Sequence, residues 1–301
     1  MPDTGTPETA KLAPRVPPLR SEYLRDTVAG GTIGVVQKPL TVWQRMANQG
    51  WLRKAFILVV IACGWEIYAR HLNNALLVPT FVATLEAWYA AIVSGDIPVK
   101  VANSVVLLLK GYGIGLALAM VFTTLAMTSR LGNDLLETLT SAFNPLPAIA
   151  LLPLALIWFG LGDFSIMFVL VHSVLWAVAL NTHSGFRSVS NTLRMVGRNY
   201  GLRGPRLITQ ILIPAAFPSI LTGLKIGWAF AWRTLIAAEL VFGVSSGKGG
   251  LGWYIYENKN MLDIPAVFAG LFTVILIGLV VENLIFRNIE NATVRRWGMQ
   301  S

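Results

Sequence analysis

Charge is scarce in this sequence: 13% of its 301 residues are Asp, Glu, Lys or Arg, while 54% are hydrophobic. A soluble domain carries about a quarter charged residues, so the composition excludes an ordinary water-soluble globule and points to the membrane. Cysteine and histidine are rarer still, at one and three residues. Cys63 sits alone in an apolar run, which excludes a disulfide framework and a cysteine-based zinc or iron–sulfur centre. No metal site is expected, and no catalytic residue: no nucleophile stands with a base, and no Cys, His or carboxylate set is clustered. The N-terminus lacks the basic, apolar, small-residue order of a cleavable leader, since the first long apolar run begins after Lys54. The leader is therefore expected to stay on the mature protein.

One glycine-rich stretch imitates a nucleotide site. In GVSSGKGGLG, at 243–252, Gly247, Gly249 and Gly252 have the G-x-G-x-x-G spacing. That fingerprint works after a strand, whereas this one follows a long apolar helical run. It also misses the phosphate-loop pattern, because Gly243 is one residue too close and Gly249 stands where Ser or Thr must hold magnesium. We read it as a flexible turn between helices.

What is present is a series of apolar runs, each judged against the roughly 20 residues that cross a hydrocarbon core. Six spans are predicted, at about 54–70, 100–128, 135–159, 164–183, 214–243 and 264–287. The segment at 79–95 is apolar on one face but carries Glu86, so a half-buried interfacial helix is expected there. Residues 1–50 read as a mobile Pro- and Thr-rich tail ending in a short surface helix, 51–290 as the membrane domain, and 291–301 as a second tail. With the N-terminus inside, the inner segments hold 17 Lys and Arg and the outer segments four. The positive-inside rule then puts both termini in the cytoplasm and 243–252 on the outer face, away from cytoplasmic ATP. The net charge of +9 is accounted for by this asymmetry and calls for no nucleic acid.

The longest inner connection, LRMVGRNYGLRGPRLITQILIPAAFPSILTGLK at 193–225, has two short helical patterns divided at GLRGP. Gly201 and Gly204 permit a sharp turn, and Pro205 can start the next helix. This stretch resembles the cytoplasmic coupling loop of bacterial ABC importer permeases, with its pattern of E-A-A, three residues, Gly, nine residues, I-x-L-P. Gly201, Ile211 and Ile213-Pro214 keep the spacing, while Met195, Val196 and Gly197 replace the E-A-A. The likeness runs over about residues 55–290. FNPLPAIALLPLALIWFGLGD (143–163), NTHSGFRSV (181–189) and IPAAFPSILTGLKIGWAFAWRTLIAAEL (213–240) resemble the nitrate, sulfonate and taurine type, as does the SSGKGGLGWYI turn.

The resemblance implies an all-α membrane protein with the type I importer permease fold, in the bacterial inner membrane. It implies a second permease copy as partner, two cytoplasmic subunits that bind ATP and Mg, and an extracytoplasmic solute-binding protein. This chain would hold no cofactor and hydrolyse no ATP. A coupling loop at about 190–213 would then place Arg194, Arg198, Gly201, Arg203, Gly204, Arg206 and Pro214 against the ATPase, while Lys248 and Gly249 would meet the binding protein.

An ionisable group in mid-membrane costs about 2.5 to 3.5 kcal/mol to insert, so it usually faces a partner or a wet path. Arg233, Lys225 and Glu239 share the fifth span. Lys225 and Arg233, about 80° apart around a helix, can face one path, whereas Arg233 and Glu239 diverge too far for an i,i+4 pair. The expected path is lined by Arg233, Lys225, Glu239 and His172, with Pro147 and Pro153 breaking the third span as a gate. The competing class, an ion-coupled secondary transporter, needs paired intramembrane carboxylates or inverted repeats, and only scattered Glu66 and Glu239 are present.

Overall fold

The computed structural model describes residues 49–242 and 249–298. The expected N-terminal tail, nearly all of its surface helix, and Lys248 lie outside the described residues. The chain divides into two units, Met1–Phe56 and Ile57–Ser301. Of the first, only 49–56 are described, where they form the opening turns of α1 (Gly50–Leu72).

The described residues are helical, without strands. After α1 come α2 (Phe81–Val93), α3 (Asp96–Thr128) and α4 (Arg130–Phe143). A short 3-10 turn (Ala148–Leu151) leads into α5 (Leu152–Phe159), then α6 (Asp163–Ser188) and α7 (Asn191–Asn199). A π turn (Ile208–Leu212) precedes α8 (Ile213–Phe242), α9 (Leu251–Asn260) and α10 (Ile264–Val280), whose helical path continues through π turns to Arg295.

Five helices are long and apolar enough to cross a membrane, and a sixth span results if the bent α4–α5 pair counts as one. The third predicted span is therefore two helices meeting at 87° rather than one rod. Pro145 and Pro147 explain the break: each lacks an N–H and its ring clashes with the carbonyl one turn back. Pro153 does not contribute to it. It lies in the first turn of α5, where a missing N–H costs nothing, and it is exposed. The apolar segment at 79–95 folds as the short helix α2, which Thr80 caps by accepting the Ala83 N–H.

α6 is the centre of the bundle, with 61% of its apolar window buried against 6% for α1. Glycines bring its neighbours close. A Cβ on Gly111 or Gly115 of α3 would lie 2.8 Å from the Cβ of Leu170 or Val174 on α6. On α8, a Cβ at Gly223 would lie 2.8 Å from the Cβ of Asn181. Lipid tails are as apolar as leucine, so close packing of backbones is what holds such helices together. Leu108, Leu170, Val174, Leu235 and Leu251 form the fully buried centre of this core.

Candidate functional site

The break between α4 and α5 opens a cavity of about 410 Å³ beside α6 and α8. Asn144, Pro145 and Pro147 form one wall, His172 and Trp176 the second, and Phe230, Arg233 and Thr234 the third. Three of the residues expected on the path, Arg233, His172 and Pro147, thus come together. Pro153 lies outside this lining.

Arg233 is exposed and its guanidinium is 5.5 Å above the Phe230 ring, a cation–π arrangement. Its Nε donates to the Ala229 carbonyl at 3.1 Å, and no carboxylate pairs with it among the described residues. Across the cavity, His172 packs edge-on to Phe143 and Trp176, while Trp176 stacks on Phe143 at 5.5 Å. Both ring nitrogens of His172 and the Trp176 indole N–H are buried without a hydrogen-bond partner among the described residues, as is the Thr140 hydroxyl, which lies outside the cavity lining. A buried polar group left unmade costs about 1 to 3 kcal/mol, so the imidazole and the indole N–H on the wall facing an unpaired cation fit a site for an anionic or strongly accepting guest. Trp176 and Phe230 were not singled out from the sequence. The available signal was helical spacing, since Trp176 is one turn from His172 and Phe230 one turn before Arg233.

Lys225 and Glu239 do not line the cavity. Lys225 reaches the C-terminal part of the last helical path and pairs with Glu290 at 2.7 Å and Glu282 at 3.9 Å. Glu239 is 3% exposed, enclosed between α3 and the start of α9. Gly249 is likewise buried, its carbonyl accepting from Asn103, so its surface is closed to a partner in this conformation. Beside it, burial and then the carboxylates of Asp263 and Asp96 push the Tyr254 phenol up to about 12.

The basic connection between α6 and α8 has a defined geometry. Ser190 caps α7 by accepting the Leu193 N–H, and the helix ends in a Schellman motif. The Leu202 N–H reaches the Gly197 carbonyl at 3.0 Å and the Gly201 N–H reaches Arg198 at 2.9 Å. Gly201 and Gly204 adopt φ of 77° and 53°, the left-handed conformation that disfavours a side chain. Arg198, Arg203 and Arg206 are exposed around this turn. Arg194 is engaged elsewhere, donating to the Phe186 and Val189 carbonyls at the end of α6. Gly197, in the degenerate front of the motif, lets α7 close on the π turn: a Cβ there would lie 2.7 Å from Leu207 Cδ1. Pro214, half-buried, directly follows that turn.

A basic, glycine-turned connection between long spans and a cavity at a broken helix define the candidate site. Residues 111–293 match the model of the binding-protein-dependent transport system inner membrane component. The chain belongs to that family. It is 31% identical over 222 residues to an ABC transporter permease protein of Methanocaldococcus jannaschii, covering 72% of this chain and 82% of that one. A taurine transport system permease protein of Escherichia coli is 30% identical over 57% of this chain and 58% of its own length. A nitrate import permease protein of Synechocystis is 26% identical over 78% and 86%. The permease is thus of the nitrate, sulfonate and taurine type, with the type I fold, and is a multi-pass protein of the bacterial plasma membrane. As a membrane subunit of an ABC transporter it is not itself an enzyme.

Proposed function

We propose that this permease carries a small anion, such as nitrate, a sulfonate or taurine, inward by alternating access through the Arg233 cavity. In this reading two copies of the chain pair as a homodimer, with both termini in the cytoplasm. Two cytoplasmic subunits bind ATP and Mg and dock on the 193–214 connection, and an extracytoplasmic binding protein delivers the solute. Arg233 is the observation that carries the reading. A guanidinium in a spanning helix with no carboxylate beside it among the described residues, lining a largely apolar cavity, is placed to offset the charge of a passing anion.

The test is reconstitution with the cognate ATPase and binding protein, measuring ATP hydrolysis against nitrate, taurine, an alkanesulfonate, bicarbonate and an aromatic carboxylate. One of these classes should stimulate turnover, and Arg233→Ala should remove that uptake while the complex still assembles. Unchanged uptake by Arg233→Ala overturns the cavity assignment. Gly201→Asp should insert normally yet fail to couple ATP hydrolysis to uptake; normal coupled uptake would remove the docking assignment. The isolated chain should hydrolyse no ATP.

A further inference from the structure

The outer end of α8 holds an arrangement that a passing anion does not require. Ser104 Oγ, on α3, lies 2.7 and 2.8 Å from the two carboxylate oxygens of Glu239 and donates to them. Glu239 Oε2 accepts the Gly252 N–H at 2.8 Å, and Ser104 Oγ accepts the Leu251 N–H at 2.8 Å. Asn103, beside Ser104, donates to the Gly249 carbonyl at 3.3 Å.

These contacts solve a local problem. The first N–H groups of any helix lack partners within it, and Gly250 gives α9 no side-chain cap. Side chains from α3 and α8 provide the acceptors instead, and a carboxylate suits the positive end of the helix dipole. The glycines make this reach possible. A Cβ on Gly252 would sit 2.6 Å from both Glu239 Cβ and the Ile236 carbonyl, and one on Gly250 would overlap the Glu239 carboxylate and Ser104 Oγ. The Gly249–Gly252 segment is therefore a gripped backbone rather than a loose turn.

We propose that Glu239 and Ser104 form a positioning latch, which makes the Gly249–Gly252 segment and α9 move as one body with α3 and α8. Docking of a solute-binding protein at the outer face is then transmitted to the span that carries Arg233. This rests on the importer reading above. Glu239 is a positioning residue: it touches backbone, not cargo.

The test uses the full transporter in nanodiscs, with hydrogen exchange of residues 249–260 measured without nucleotide and with Mg-ATP and vanadate. The wild type is expected to stay protected in both states. Glu239→Ala should speed exchange at Leu251 and Gly252 by about 10-fold or more, as freed helix-end amides do. Its ATPase stimulation by the binding protein, loaded with nitrate, taurine or benzoate according to which drives most turnover, should fall about fivefold, with unstimulated hydrolysis unchanged. Glu239→Gln keeps an oxygen for Gly252 and should retain most of the stimulation. Full stimulation in Glu239→Ala, equal loss in Gln and Ala, or wild-type protection that vanishes with vanadate would each overturn the latch. Should Glu239→Ala fail to assemble, Ser104→Ala takes its place, and unchanged exchange and stimulation in that variant overturn the proposal. Normal uptake by Arg233→Ala would defeat the cavity reading alone and leave the latch standing.

Discussion

Arg233 and Glu239 lie six residues apart on α8, and their surroundings are opposite. Glu239 has Ser104 and the Gly252 amide on its oxygens and almost no exposed surface. Arg233 has one bond to its own helix, an aromatic face, and an open cavity whose far wall holds unpartnered donors. A charge in a membrane helix is a sign of function only after its partners are counted. The satisfied charge fixes geometry, and the unsatisfied one is available to a guest. Lys225, held by Glu290 and Glu282, belongs with Glu239 in this respect.

Substitutions can separate the two kinds of charge. Arg233→Ala should give the largest loss of uptake, about 100-fold, on the scale of removing one partner from a desolvated charge contact, with ATPase co-purification intact. Arg233→Lys keeps the charge but loses the planar fork, so uptake should recover to within about 10-fold of wild type. If Lys performs no better than Ala, shape outweighs charge at this position. Trp176→Phe deletes only the orphaned indole N–H from the cavity wall; the apparent KM for uptake should rise about fivefold, the cost of one hydrogen bond. An unchanged KM would show that the indole serves packing alone. Lys225→Met should alter uptake by no more than about threefold while lowering the melting temperature, since its ion pairs are partly exposed. A loss there as large as that of Arg233→Ala would dissolve the distinction between the two kinds of charge.

The sequence contained the spans because hydropathy alone sets them, and the left-handed glycines of the 201–205 turn because GLRGP has few other conformations. It also showed that prolines would disturb the third span, though not that Pro145 and Pro147 would fold it to 87° while Pro153 remained harmless. That difference depends on position within a helical turn. Arg233, His172 and Pro147 could be gathered from composition and spacing, because rare groups in lipid narrow the choice. Partnerships could not. Glu239 meets Ser104 from 135 residues away, Lys225 meets Glu290 from 65 away, and no local pattern encodes either. The same limit hid the role of Gly250 and Gly252, which the sequence offers only as part of a flexible turn: the carboxylate they admit belongs to the protein itself.

The close glycine contacts along α6 restrict how this bundle can move. A helix met at Gly111 and Gly115 along one face, and farther along that face at Gly223, leaves little clearance for a neighbour to slide or screw past it. α3, α6 and α8 are then expected to swing as one body, like leaves bound at one spine. Under a rigid swing, displacement grows with distance from the pivot. A slight tilt that scarcely alters the cavity walls would carry the turn at Gly201 through a longer arc.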